Sequence, residues 1–379
     1  MKKTILVDAR VLSMNFCGIG VFCYNVIKAF SKYASNIELL VCSNQAINSN
    51  YEDIYKMKNI KVVIAPLPFL SHRGILWFLF KLPVLIYKYK PYFYWSPAVL
   101  LPLCGLKNVR KIITIHDVVL QEYSKTMNLR NWLVNKVLTN RSIKQADYIW
   151  TVSNYTKEKV LQYYPNIINT KFFVGSSINM DFYYPLNIST ERRHIYLDKF
   201  GYTPETKYLL FVGTLEPRKN LKFLLSLMPF LSKQNYKLII VGGKGWGKTD
   251  IARIINQEDF PKEDVFFTGY ISNEELRLLY NIVDCFVSTS INEGFGLPQL
   301  EAMACNCPVV SANNSAMIEV VGGAGVLVDG WDVNEWCNKI VWSVNNKKEI
   351  LKKYPLKIQQ YKWEMIIKRL ENDIIYNEK

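Results

Sequence analysis

Short, continuous apolar runs recur along the chain, each followed by a longer stretch with helical spacing. Residues 3–7, 38–42, 61–65, 92–95, 111–115 and 148–152 read as strands, with helical patterns over 24–33 and 132–145. A strand that is apolar at successive positions is buried on both faces, and crossover helices supply the two covers. The alternation restarts at 208–212 and continues through 237–241, 265–268, 285–288, 308–311 and 325–328. Two doubly wound α/β units in tandem account for this pattern in a chain of 379 residues. The expected division is residues 1–182, then 183–355, then a long last helix over 356–376.

Composition narrows the setting. Half the residues are apolar and 21% are charged, which excludes a disordered chain. No apolar run reaches the roughly 20 residues that span a bilayer; the longest candidate, 75–94, is interrupted by Lys81, Pro83, Lys88, Lys90 and Pro91. The apolar run at the start meets Asp8 too early for a secretory signal. A cytoplasmic protein is expected. Its eight cysteines are irregularly spaced without a C-x-x-C pair, and three histidines accompany them, so buried free thiols fit better than a zinc or redox site.

The net charge of +15 lies wholly in one half. Residues 1–180 hold 23 basic and 8 acidic side chains, and residues 181–379 hold 24 of each. A patch of this kind suits nucleic acid, an anionic membrane surface or a phosphorylated partner. The segment 75–87 sets Trp77, Phe78, Phe80 and Leu82 among basic residues. It reads either as a helix packed on the first sheet or as one lying in a membrane interface.

Four constellations carry chemistry. Gly18-Ile19-Gly20 follows the first strand and leads into a helix; it lacks the third glycine of a dinucleotide fingerprint and reads as a phosphate-facing loop or a plain tight turn. Gly213-Thr214-Leu215-Glu216-Pro217-Arg218-Lys219-Asn220 follows the strand at 208–212. Ligands of open α/β sheets sit beyond strand carboxyl ends, where Arg218 and Lys219 would meet a diphosphate; the alternative is a solvated basic turn. Glu293-Gly294-Phe295-Gly296-Leu297-Pro298 opens a helix that contains Glu301. Amides of Phe295, Gly296 and Leu297 would point at an anion, and the two carboxylates would accept hydroxyl hydrogen bonds from a polyol, or merely favour a helix start. His116-Asp117 ends the strand at 111–115 and is either structural or in contact with ligand. A competing motif, Gly242-Gly243-Lys244-Gly245-Trp246-Gly247-Lys248-Thr249, satisfies the P-loop pattern, but no apolar strand ends in an Asp suited to hold magnesium.

Together these residues resemble the retaining glycosyltransferases of family 4, which have the GT-B fold. The likeness also takes in Asp8-Ala9-Arg10, Ala146-Asp147, Thr151-Val152-Ser153 and Lys362-Trp363-Glu364. The resemblance implies two Rossmann-like domains facing across a cleft, with residues 356–379 crossing back to the first. It implies a nucleotide-sugar donor bound mainly by the second domain and a glycan acceptor bound mainly by the first. Arg218, Lys219, the amides of Phe295, Gly296 and Leu297, and the Gly18–Gly20 loop would hold the diphosphate. Glu301 would bind ribose hydroxyls, Glu293 those of the transferred sugar, and His116 would contact that sugar near the reacting carbon. The sequence contains no D-x-D motif, so neither a metal nor any other cofactor is expected. Within the family, bacterial O-antigen or capsule mannosyl- or rhamnosyltransferases using a GDP-sugar are the most similar. A polyprenyl-diphosphate-linked acceptor at an anionic inner leaflet would then use the basic first half, with no role for nucleic acid. Other readings are a glycogen- or sucrose-synthase-like enzyme with a soluble acceptor, a non-catalytic scaffold and a P-loop protein. Two departures from the family are Ser176-Ser177-Ile178-Asn179, where relatives often read N-G-V-D, and Asn306 in place of a capping glycine.

Overall fold

The computed structural model describes residues 2–14, 18–67, 74–118, 129–167, 170–243, 245 and 250–376, and for 129–135 the backbone alone. It forms two units: Met1–Ser177 with Tyr361–Lys379, and Ile178–Gln360. The break falls inside Ser176-Ser177-Ile178-Asn179 rather than at 182/183.

In the first unit, seven parallel strands form one sheet: β1 (Lys3–Asp8), β2 (Ile37–Ser43), β3 (Ile60–Ile64), β4 (Phe93–Ser96), β5 (Arg110–Ile115), β6 (Tyr148–Thr151) and β7 (Lys171–Val174). Their order is β3-β2-β1-β4-β5-β6-β7. The sequence pattern does not reveal β7. Only four residues long and on the sheet edge, it keeps one side toward solvent and lacks the continuous apolar run of its neighbours.

The second sheet is also parallel: β8 (Lys207–Val212), β9 (Tyr236–Val241), β10 (Val265–Gly269), β11 (Cys285–Ser288), β12 (Val309–Ala312) and β13 (Val326–Val328). These run in the order β10-β9-β8-β11-β12-β13. Order reverses between β1 and β4 in one sheet and between β8 and β11 in the other. At such a switch point the loops beyond the strand ends diverge to opposite faces and leave a crevice for ligand.

The first helix, Gly18–Tyr33, buries Phe22, Cys23, Val26, Ile27 and Phe30. Phe22 sits edge-on to Trp150 at 5.4 Å and to Trp95 at 6.4 Å, and Trp363 lies 6.0 Å away. The expected long last helix is two pieces. Tyr354–Gln359 belongs to the second unit; extended backbone at Lys362 then restarts the helix as Trp363–Leu370, which continues into a wide turn, Glu371–Ile375. The second piece buries Trp363, Ile366, Ile367 and Leu370 within the first unit.

Residues 75–87 pack on the first sheet through one face and expose the other. A π-helical turn at Trp77–Lys81 joins Gly74–Leu76 to the helix Leu82–Tyr89. Trp77, Phe78, Leu82, Leu85 and Ile86 enter the core, while Ile75, Phe80, Val84 and Tyr87 face outward. Six of the cysteines, Cys23, Cys42, Cys285, Cys305, Cys307 and Cys337, are buried free thiols; Cys104 is exposed, and Cys17 lies outside the described residues. Asn306 takes φ of +56°, the left-handed cap that glycine more often supplies.

Candidate active site

The two motifs of the second unit follow β8 and β11, the strands that flank its switch point, and hydrogen bonds lace them together. Ile291 N–H donates to the Arg218 carbonyl at 2.8 Å, and Thr289 Oγ1 donates to the carbonyls of Lys219 and Asn220 at 3.2 and 3.1 Å. Arg218 Nη1 donates to the Asn292 carbonyl at 2.6 Å and to Glu293 Oε2 at 2.8 Å. Its Nε and Nη2 donate to Glu216 Oε1 at 3.1 and 2.7 Å. Lys219 Nζ meets Glu293 Oε1 at 2.5 Å, and Ser290 Oγ donates to the same oxygen at 2.6 Å.

Sequence alone assigns Arg218 and Lys219 no acidic partners and leaves Glu293 to sugar hydroxyls or to a helix start. In the structure these three residues and Glu216 form one cluster of two cations and two carboxylates. Each is largely buried; Glu293 is 6% exposed. Burial by itself would raise the Glu293 carboxyl, but Lys219 and Arg218 overcome it and hold the pKa at about 2. Arg218 already donates four hydrogen bonds inside the unit. What it offers an anion is therefore a positive charge fixed in place more than a free fork. Glu216 lay within the quoted motif, and Ser290 three residues before Glu293. Neither pairing has a signal in sequence spacing.

Gly296 caps the helix Leu297–Ala304 at φ +102°, a conformation that favours glycine. A Cβ there would fall 2.4 Å from the Met317 methyl. Pro298 occupies the first turn, where its missing N–H costs nothing. Gln299 is buried and donates Nε2–H to Ser288 Oγ at 2.8 Å; its Oε1 has no partner among the described residues. Glu301, a turn further on, accepts from the Tyr280 hydroxyl at 3.0 Å. Burial pushes its carboxyl up to about 7, against the opposing pull of Tyr280 and Tyr183. Both tyrosines were invisible as site residues, because they lie far from Glu301 in the chain.

Two glycines of the P-loop lookalike, Gly242 and Gly243, have packing reasons. Gly213 and Gly242 end adjacent strands, and a Cβ on Gly242 would lie 2.0 Å from the Gly213 carbonyl oxygen. A Cβ on Gly243 would strike the Tyr270 ring at 2.1 Å. Lys244 and Trp246-Gly247-Lys248-Thr249 lie outside the described residues.

In the first unit, Gly18 opens its helix with no described residue within 4 Å of where a Cβ would stand; Gly20, two residues on, is buried. Asp8 and Arg10 form a two-point pair at 2.8 and 2.7 Å. Arg10 Nη1 also donates to the Gly74 carbonyl at 2.9 Å, tying the end of β1 to the start of the outward-facing helix. His116 follows β5, with its ring edge-on to Phe22 at 4.9 Å. Its Nε2–H donates to the Pro97 carbonyl at 2.8 Å. Burial lowers its pKa, which the Pro97 bond and Asp117 only partly oppose, so the ring is neutral near pH 7. A carbonyl only accepts, so the proton sits on Nε2 and Nδ1 is left as a hydrogen-bond acceptor. No group of three or more His, Cys, Asp or Glu gathers to hold a metal among the described residues.

Comparison with known proteins finds two family matches: "Glycosyl transferases group 1" over residues 194–361 and "Glycosyltransferase Family 4" over residues 16–172. O-antigen chain mannosyltransferase B of Escherichia coli is 32% identical over 289 residues, 73% of this chain and 72% of that one. Serotype-specific mannosyltransferase WbdA of the same organism is 26% identical over 60% of this chain, which spans only 28% of its length. Among solved structures, HepE of Anabaena in complex with UDP-glucose aligns over 98% of this chain and 99% of its own, with TM-score 0.73 and 16% identity.

Proposed function

Because the chain belongs to the glycosyltransferases of group 1 and family 4, with their GT-B pair of Rossmann-like domains, we propose that it moves a hexose from a nucleoside-diphosphate sugar to a growing surface polysaccharide. The observation that carries this reading is the Arg218–Lys219–Glu216–Glu293 cluster beside the switch point, at the start of the helix that bears Glu301. When the glycosyl–diphosphate bond breaks, negative charge grows on the departing nucleotide. Cations already locked by carboxylates meet that charge without reorganising, and the first amides of Leu297–Ala304 add oriented dipoles. Each such donor is worth about 2–4 kcal/mol by analogy with oxyanion-hole deletions. The mechanism is retaining and needs no metal: fixed cations do what a divalent ion does elsewhere. Glu301 accepts from ribose hydroxyls, Glu293 orients the transferred sugar, and His116 offers Nδ1 to a sugar hydroxyl. The likeness to O-antigen mannosyltransferases favours mannose, and with it a GDP-linked donor.

The acceptor in this reading is carried on a polyprenyl diphosphate at an anionic inner leaflet. Ile75, Phe80, Val84 and Tyr87 are 50%, 65%, 56% and 78% exposed on one helix face, beside Lys81, Lys88 and Lys90. Between Asp53 and Asp117 the sequence has no acidic residue at all. Each near-surface cation contributes roughly 1 kcal/mol toward an anionic leaflet. No helix among the described residues is long and apolar enough to cross a membrane.

A thermal-shift screen of UDP-, GDP-, ADP- and dTDP-sugars, followed by assay of nucleoside-diphosphate release with lipid-linked and soluble acceptors, tests this directly. One nucleotide class should stabilise the protein, and release should persist in excess chelator. If no donor releases its nucleoside diphosphate with any acceptor, the transferase reading fails; loss of turnover with chelator removes the metal-free mechanism.

A further inference from the structure

A cavity of about 540 Å³ opens at the amino end of β5 in the first unit. Lys107, Gln145 and Leu103 in its wall are exposed, and Lys111 and Arg141 partly so, which leaves the lining within reach of a ligand. His116 stands past the other end of β5, five residues on from Lys111 and roughly 16 Å away at 3.3 Å per residue. The cavity is therefore separate from the ligand-binding end of the sheet. Its polar wall is nearly all donor. The side chains of Lys107 and Gln145 make no hydrogen bond or ion pair among the described residues. Arg141 Nη1 donates to the carbonyls of Leu101 and Pro102 at 3.5 and 3.3 Å, and Nη2 to that of Leu103 at 2.9 Å. This occupies those acceptors and leaves Nε–H and one Nη2–H without a partner among the described residues. Lys111 Nζ meets Asp147 Oδ2 at 2.8 Å, and the same oxygen accepts the Lys111 backbone N–H at 2.7 Å. No carboxylate belongs to the lining itself. Three cations against the one carboxylate paired with Lys111 leave two positive charges. An anion with several oxygens answers that surplus of charge and donors, whereas a neutral ligand does not.

The cavity also adjoins the outward-facing helix. Gly105, in its wall, has φ of +86°, and a Cβ there would lie 2.9 Å from Pro83 Cα. The loop is thus pressed onto the first turn of Leu82–Tyr89. Val84 in that helix is 56% exposed, and Leu103 of the cavity wall is 51% exposed. A cationic site beside exposed apolar side chains matches a lipid, in which phosphate and acyl chains are joined, better than a free ion. We propose that the cavity binds the terminal phosphomonoester of a membrane lipid, with Leu103 and Val84 turned to its acyl chains. A phosphomonoester carries close to two negative charges at neutral pH and matches the two uncompensated cations, while a phosphodiester headgroup brings only one. This rests on the reading that the outer helix face meets an anionic leaflet, and it gives that contact a specific ligand class.

The test is sedimentation of the full chain with phosphatidylcholine vesicles that contain about 10 mol% phosphatidic acid or about 20 mol% phosphatidylglycerol, nearly equal in surface charge. The phosphatidic acid vesicles should bind about five-fold more tightly or better. Lys107→Gln combined with Gln145→Glu, both at exposed positions, should bring that ratio to about one. Lys88→Gln, outside the cavity, should weaken both affinities and keep the ratio. Equal binding of the two vesicles by the unaltered chain overturns the proposal, as does a preference that survives the double variant. Glycerol 3-phosphate supplies the same phosphate without acyl chains and should bind at least about ten-fold more weakly than phosphatidic acid in vesicles. Equal affinity would make the site one for a soluble phosphate ester and end the lipid assignment. Salt-sensitive binding to both vesicles without a preference sinks this inference alone. Binding of glycerol 3-phosphate with no vesicle binding sinks the membrane contact and the lipid with it. Nucleoside-diphosphate release from the donor panel is scored separately, so the transferase reading stands or falls independently.

Discussion

Replacing Glu293 by glutamine keeps the shape of the side chain and removes its charge. Glu293 is held at about 2 against an ordinary 4.5, and that difference is worth about 3 kcal/mol of folding free energy at neutral pH. Removing one partner of a buried ion pair typically costs about 3–5 kcal/mol, a consistent range. Lys219, 9% exposed, is then left without its carboxylate, and Arg218 keeps only Glu216. For a domain of 150–250 residues, 1 kcal/mol moves the melting temperature by roughly 2–4 °C, so Glu293→Gln should lower it by about 6–12 °C at pH 7. The folded-state pKa lies below the unfolded one. The stabilisation is therefore fully present above pH 5 and drains away as the pH falls from 4.5 toward 2. Differential scanning calorimetry at pH 7 and pH 3 should show the gap between the unaltered chain and the variant narrowing. A melting temperature within 2 °C of the unaltered chain at pH 7, or a gap that widens in acid, would refute a cluster held together by charge. Transfer should slow by about 10²–10³-fold, the effect of losing one preorganised group.

In the proposed site Glu301, raised to about 7 by burial, accepts ribose hydroxyls as the carboxylate. Nucleoside-diphosphate affinity should fall up to ten-fold per pH unit below 7, and Glu301→Gln should flatten that profile in calorimetric titrations at pH 6 and 8. Gly242→Ala places a Cβ 2.0 Å from the Gly213 carbonyl oxygen and should unfold or severely destabilise the second unit, seen as loss of its thermal transition. Gly18→Ala meets no described residue within 4 Å and should leave the melting temperature within about 3 °C, while weakening donor affinity in the same titrations if phosphate approaches there. Sedimentation with anionic liposomes should show binding that weakens at high salt and drops with Phe80→Ser; salt-independent binding would contradict an electrostatic contact.

Most of the sheet architecture can be read from the chain because a doubly covered parallel strand must be apolar along its whole length. The central strands carry that mark; the edge strands β3 and β10 are legible from shorter apolar runs although partly exposed, and the four-residue edge strand β7 is not picked out. Both motifs of the second unit stand out because each follows a strand and gathers charged residues, glycine and proline, although Arg218, Lys219 and Glu293 also bind one another. Local sequence could not reveal that β8 and β11 would be neighbours, which sets Glu293 on the two cations, or that Tyr280 would meet Glu301. Nor did it show that the backbone of Gly213 leaves no room for a side chain at Gly242, or that the last helix breaks at Lys362. Propensity and apolar period are properties of a few consecutive residues, so the chain by itself determines its strands, helices and site motifs. Charge pairing, burial and pKa depend on which distant segments are brought within a few ångströms, and only the tertiary structure decides that.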